Sequence, residues 1–158
     1  MAIYMQYKGI DGDATQSGFK DWIKLESFQL GVGRGITTQT GAALNREAHE
    51  PTVSEITVTK LLDKASGPLL QHVCTEKKGQ DCKIAFVTTG DPGEKYLEYT
   101  LTNTLVSGLS LSSGGDRPVE SISLNFTKLE IEVKPLDPDN TAEGPFKFAY
   151  DIAQAKKV

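Results

Sequence analysis

The sequence predicts a mainly β fold. Most of its apolar residues recur with a period of two, clusters of Gly, Asp, Asn and Pro separate those runs, and helical spacing appears in one place. In the first run, Ile3, Met5 and Tyr7 alternate with Tyr4 and Gln6, and a turn-rich loop over residues 11–18 follows. A long second strand is expected over residues 22–31. There Trp22, Phe28 and Leu30 oppose Ile23, Ser27 and Gln29, while Lys24 and Glu26 interrupt the first half. Residues 33–51 show no sustained periodicity and carry mixed charge at Arg46, Glu47, His49 and Glu50. This segment reads as a loop, and one so long in a small domain is normally functional or ordered by a partner.

Alternation returns over residues 55–62, a third strand, and then the period lengthens. Ser66 can cap a helix with Pro68 in its first turn, an apolar stripe of Leu69, Leu70, Val73 and Cys74, and an end marked by Lys77, Lys78 and Gly79. One substantial helix is therefore expected at about 66–78. Further strands are expected over 82–89, 96–112 and 119–134. In the last, the apolar parity switches from Ile122, Leu124 and Phe126 to Leu129, Ile131 and Val133. A bulge or a change of buried face near Thr127 follows, as when a long strand bends around a small barrel. A final strand over 146–152 precedes a Lys-ended tail.

At 158 residues the chain fits one domain with one core, with no internal repeat, low-complexity tract or linker. Its 17 Lys and Arg against 21 Asp and Glu leave a net charge of −4. That balance lacks the basic footprint that attracts nucleic acid or anionic lipid. No basic leader with an apolar run opens the chain, so folding in the cytoplasm is expected. The longest uncharged stretch, residues 99–115, is rich in Thr, Ser, Asn and Gly and too polar to span a bilayer. Cys74 and Cys82 read as thiols rather than a disulfide framework.

Motifs for chemistry fail on their context. Gly31-Val-Gly-Arg-Gly35 lacks the helix that would present its N-terminus to a phosphate. The acidic loops starting at Asp11 and Asp137 miss the glycine and the final glutamate of a calcium loop, so they read as solvated turns. His72 and Cys74 stand about 200° apart on a helix and cannot share a zinc ion with Cys82. Cys74 then reads as a small core residue and His72 as a surface one. No nucleophile elbow, zinc-protease motif or phosphate-binding loop is present, and no catalytic residue, metal or cofactor is assigned. A hydrolase reading rests on no motif.

Several strands nonetheless carry an uncharged polar face. Ser27 and Gln29 oppose Phe28 and Leu30; Ser121, Ser123 and Asn125 oppose Ile122, Leu124 and Phe126; Thr100, Thr102 and Thr104 oppose Leu101 and Leu105. Solvent faces usually mix in Lys and Glu. A neutral wall suits subunit packing or the lining of a passage, against the plain alternative that Thr is simply a good strand former.

Six segments in order, covering essentially the whole chain, resemble the haemolysin-coregulated protein (Hcp) family. They are Tyr4-Met-Gln-Tyr-Lys-Gly-Ile-Asp-Gly-Asp, Asp21-Trp-Ile-Lys-Leu-Glu-Ser-Phe, Ser54-Glu-Ile-Thr-Val-Thr-Lys60 with Asp63-Lys-Ala-Ser66, Tyr96-Leu-Glu-Tyr-Thr-Leu-Thr-Asn-Thr-Leu-Val-Ser107, Pro118-Val-Glu-Ser-Ile-Ser-Leu-Asn-Phe126 and Tyr150-Asp-Ile-Ala. The resemblance implies a type VI secretion tube protein: a small β-barrel of two packed antiparallel sheets with a flanking helix, similar to phage tail-tube proteins. It implies hexameric rings stacked into a tube, a contractile sheath around it, a spike protein at its tip, and effectors carried in the lumen. Assembly would take place in the cytoplasm, followed by secretion without a signal peptide.

On this basis Arg46, Glu47, His49 and Glu50 are expected as subunit or ring-stacking contacts, and Ser27 and Gln29 as lumen-facing. The chain, ending soon after Tyr150-Asp-Ile-Ala, is expected to be a single tube domain over 1–158 without an effector extension. A monomeric β-barrel binding a small apolar ligand is the alternative; it requires a hollow apolar interior.

Overall fold

The computed structural model describes residues 1–38, 40–41, 47–90, 93–135 and 144–158. It is mainly β, as the alternation requires. Two antiparallel sheets share one long strand, β10 (Lys95–Ser112). In the first sheet β1 (Ala2–Tyr7) pairs with β2 (Ile23–Leu25) and β9 (Gln80–Val87), and β9 pairs with the first half of β10. In the second, β3 (Ser27–Gln29) pairs with β8 (Ile56–Leu61), β8 with β11 (Val119–Asn125), and β11 with the second half of β10. Because β2 and β3 are successive parts of one bent segment, the path β10–β9–β1–β2–β3–β8–β11 returns to β10.

That bend replaces the single strand expected over 22–31. Ile23 and Leu25 are buried, then the parity changes at Glu26 to Phe28 and Leu30. Glu26 N–H donates to the Thr59 carbonyl at 2.7 Å, so the chain leaves one sheet and joins the other there. Trp22 belongs to neither stretch. It meets Phe19 edge-on at 5.0 Å, and Phe19 stacks on Tyr4 at 5.1 Å. With Ala14, these rings cover Tyr4, Ala85 and Val87 on the outer side of the first sheet. Ala14 thus anchors the 11–18 loop as a lid on this sheet, while Asp11 and Asp13 are exposed, as a solvated turn requires; the loop starting at Asp137 lies outside the described residues.

The expected change of face near Thr127 is present. β11 ends at Asn125 and β12 (Lys128–Val133) begins two residues after Phe126, with Thr127 N–H donating to the Thr102 carbonyl at 3.1 Å. Beyond this corner β12 leaves β8 behind and pairs with β13 (Phe146–Asp151), which the tail extends as β14 (Lys156–Lys157). β10 itself changes register three times, between Lys95 and Leu97, between Leu101 and Thr104, where Asn103 takes φ +56, and between Val106 and Gly108. Leu101, Thr104 and Val106 are all buried in consequence. Thr104 therefore does not share a polar face with Thr100 and Thr102.

The helix α1 (Ser66–Thr75) ends earlier than residue 78, because Glu76 is extended and its carboxylate accepts the N–H groups of Lys77 and Lys78. Ser66 is the first helical residue and not the cap. Its hydroxyl accepts the Asp63 N–H at 3.1 Å, while the Asp63 carboxylate accepts the Ala65 N–H at 2.9 Å. The buried stripe is Ala65, Ser66, Leu69 and His72; Leu70 and Cys74 are exposed. The roles expected for His72 and Cys74 are thus exchanged, because the helix is rotated so that Leu69 and His72 face the sheets. Cys74 and Cys82 are free thiols, one exposed and one buried. Among the described residues, no helix is long and apolar enough to cross a membrane.

The segment expected to be a loop over 33–51 contains paired strands. β4 (Val32–Gly33) pairs with β7 (Thr52–Val53) and β5 (Ile36–Thr37) with β6 (Glu47–Ala48). They form a narrow, exposed two-stranded ribbon projecting from the sheets. Periodicity was concealed because the ribbon buries little beyond Val53, which packs against the core, and Gly31, Gly33 and Gly35 leave one face without side chains on its first strand.

Candidate functional site

Strand pairing converts the neutral polar residues into in-register rows. Ser27, Thr59, Ser121 and Ser110 lie side by side across β3, β8, β11 and β10, and Gln29, Thr57, Ser123 and Gly108 form the next row. Ser27 Oγ and Thr59 Oγ1 are 2.6 Å apart, a hydroxyl pair that bridges the outermost strands. Because side chains alternate across a strand, the opposite face presents Val58, Ile122, Ile56 and Leu124 to the core, all fully buried. One sheet thus separates a dry interior from a wall of hydroxyl, amide and bare backbone. Ser27 and Gln29 are exposed at its β3 edge, on the face where the sequence put them. At the far margin the Glu55 carboxylate accepts Ser107 Oγ at 2.7 Å and Asn125 Nδ2 at 3.4 Å, so the charge nearest the wall is tethered by hydrogen bonds.

The interior is filled. Met5, Ile23, Ile56, Ile84, Leu101, Ile122 and Leu124 have no exposed surface and occupy the space between the sheets, at the close packing typical of cores. A small-ligand barrel would need that space empty. A surface cleft of about 350 Å³ lined by Tyr4, Gln16, Lys24, Glu26, Asp63 and Arg117 is polar and open instead. Among the described residues, no group of three or more His, Cys, Asp or Glu side chains is placed to hold a metal ion.

The ribbon carries the other candidates. Glu47, His49 and Glu50 are exposed on it, and Arg46 lies outside the described residues. His49 N–H donates to the Gly35 carbonyl at 2.8 Å. Its ring lies over Gly35 so closely that a Cβ there would come within 3.0 Å of Cδ2.

Two buried polar constellations escaped sequence reasoning. Lys60 Nζ, with no exposed surface, donates to Asp63 at 2.8 Å, Ser66 Oγ at 3.0 Å and the Leu61 carbonyl at 3.1 Å, and it forms an ion pair at 2.9 Å with Glu120, whose oxygen there accepts no hydrogen bond. The signal was available: Lys60 continues the buried parity of Ile56 and Val58, and Glu120 that of Ile122 and Leu124. The second joins helix to sheet through Tyr7 and His72, whose hydroxyl and Nε2 are 2.8 Å apart. Burial pushes the Tyr7 hydroxyl above its usual range, helped by Cys82 and Glu76, so it remains a donor.

Residues 4–133 match the family model described as type VI secretion system effector, Hcp. The chain is 32% identical over 108 residues to the protein hcp1 of Pseudomonas aeruginosa; the match covers 65% of each, so this chain spans less than two thirds of that relative's length. It also superposes on a type six secretion system protein of known structure with a TM-score of 0.92 at 25% identity, covering 99% of both chains. Hcp1 from Salmonella typhimurium shares the fold, with a TM-score of 0.80 at 21% identity over 99% of this chain and 98% of that one. The chain belongs to the Hcp family of type VI secretion system proteins.

Proposed function

We propose that this chain is the repeating unit of a secretion tube: copies close into hexameric rings, the rings stack, and contraction of a surrounding sheath expels the tube with a spike at its tip. The observation that carries this reading is the two-row neutral wall of β3, β8, β11 and β10. Turned inward in a closed ring, it lines a passage with Ser27, Gln29 and their row-mates. Cargo effectors there meet hydrogen-bonding groups without the strong fixed fields that would hold them fast. The ribbon, with Glu47, His49, Glu50 and the neighbouring Arg46, contacts the next subunit or ring, where paired charges set register more than affinity. Residues 1–158 act in this as one tube domain, assembled in the cytoplasm before export.

Light scattering on the size-exclusion peak, followed by negative-stain imaging, tests the reading. A mass of about six protomers with annular particles is the expected result for a closed ring. A compact protein that stays monomeric at high concentration overturns it.

A further inference from the structure

Helix α1 is pinned at both ends and fastened once between them. At its start the Ser66 hydroxyl accepts from the Lys60 ammonium and from the Asp63 N–H. Just past its end Gly79 packs so closely on Asn103 that a Cβ there would fall 2.6 Å from the Asn103 carbonyl carbon. Between these points, beyond the fully buried Leu69, the helix buries one side chain, His72, at 9% exposed, with Val73 half-buried beside it. His72 Nε2 lies 2.8 Å from the hydroxyl of Tyr7 on β1, which in turn donates to the Thr104 carbonyl on β10. One ring thus fastens the C-terminal half of α1 to two strands. His72 also lines an open cleft of about 300 Å³ between α1 and residues 8–10, so a short outward movement carries the ring into water.

We propose that His72 is an acid-sensitive latch: when its ring takes up a proton, the C-terminal half of α1 lifts from β1 and β10 while both sheets stay folded. The groups around the ring favour release. β1 and the turn after it present the neutral Tyr7 hydroxyl and the Lys8 ammonium, which lines the same cleft. β9 places the buried Cys82 thiol in register with Tyr7, and β10 has no titratable residue over 100–112. The carboxylate acting on the ring is Glu76 at the end of α1, which is exposed and accepts the N–H groups of Lys77 and Lys78. Burial accordingly lowers the His72 pKa from its ordinary value against the pull of Glu76. An opened α1 then binds the proton that the closed one resists, so opening is favoured as pH falls below that ordinary value. Such opening frees only His72 and Val73 from their contacts, far less than unfolding the sheets requires. The latch is internal to one chain and independent of the ring.

Hydrogen exchange read by mass spectrometry on the purified full chain, with rates normalised to the intrinsic exchange rate at each pH, tests the latch. Between pH 7.5 and 5.0 the protection of α1 is expected to fall severalfold while β8 and β11 keep theirs. His72→Gln, which retains an N–H donor but takes up no charge, is expected to hold α1 protection constant over the same range. Unchanged α1 protection in the parent overturns the proposal, as does an equal loss in α1, β8 and β11, or a loss in His72→Gln as deep as in the parent. Should His72→Gln lack α1 protection already at pH 7.5, Glu76→Gln decides. It keeps the acceptor for Lys77 and Lys78 but removes the charge that favours the protonated ring, so its loss of α1 protection at pH 5.0 is expected to be deeper than the parent's. An equal or shallower loss overturns the latch.

Discussion

The Tyr7 hydroxyl donates to the Thr104 carbonyl at 2.8 Å and therefore has no hydrogen left for His72 Nε2, also 2.8 Å away. His72 is thus the Nε2–H tautomer and donates that N–H to the Tyr7 hydroxyl oxygen. A single hydroxyl ties helix α1, strand β1 and the bulged middle of β10 together in the dry interior. Tyr7→Phe removes the acceptor of the buried His72 N–H and a donor to the Thr104 carbonyl, and a buried unsatisfied group costs about 1–3 kcal/mol. Urea unfolding is expected to show a loss in that range with an unchanged slope.

The same contact gives stability a pH dependence. Burial lowers the pKa of His72 below its ordinary value of 6.5, a shift partly offset by the Glu76 carboxylate. The folded state then binds the proton less readily than the unfolded one. This contribution is fully present above the unfolded pKa and is lost as pH falls through the window below it. Urea midpoints are expected to drop between pH 7.5 and 5.5, and to drop less in His72→Gln.

Lys60 is held between two carboxylates, so the buried group carries one more negative than positive charge. Removing the ammonium in Lys60→Met leaves Asp63 and Glu120 facing each other without a counter-ion. Breaking a buried pair from one side costs about 3–5 kcal/mol. Lys60→Met with Glu120→Gln is expected to recover a substantial part of that loss in thermal unfolding. Equal melting temperatures for the single and double variants would show that the carboxylate is not the source of the strain.

Gly12 and Gly33 make a contrasting pair. A Cβ at Gly12 would fall 2.5 Å from the Trp22 carbonyl oxygen, whereas nothing lies within 4 Å of one at Gly33. Gly12→Ala must shift backbone in the lid and is expected to cost about 1–3 kcal/mol, as overpacking does. Gly33→Ala is expected to leave the stability of the protomer within about 0.5 kcal/mol of the parent.

The two thiols differ in reach. Cys74 is exposed, while burial removes Cys82 from solvent and pushes its thiol upward, disfavouring the reactive thiolate. Titration of the native protein with a thiol reagent is expected to modify Cys74 rapidly and Cys82 only after unfolding. Cys74→Ser should abolish the fast phase.

The sequence by itself determined the β class, the neutral face and the corner near Thr127, because a period of two fixes which side chains share a face whatever the strand pairs with. It also carried the family likeness, which rests on six ordered segments. Tertiary structure decided the matters that depend on neighbours. The face by which α1 docks was settled by the Tyr7 hydroxyl, which draws His72 inward and leaves Cys74 outside, a choice that spacing along the helix does not contain. The break at Glu26 and the register shifts in β10 were set by which sheet supplies the next hydrogen-bond partner. The ribbon was hidden for the opposite reason: its strands pair only with each other and bury little beyond Val53, so no alternation of buried and exposed residues records them.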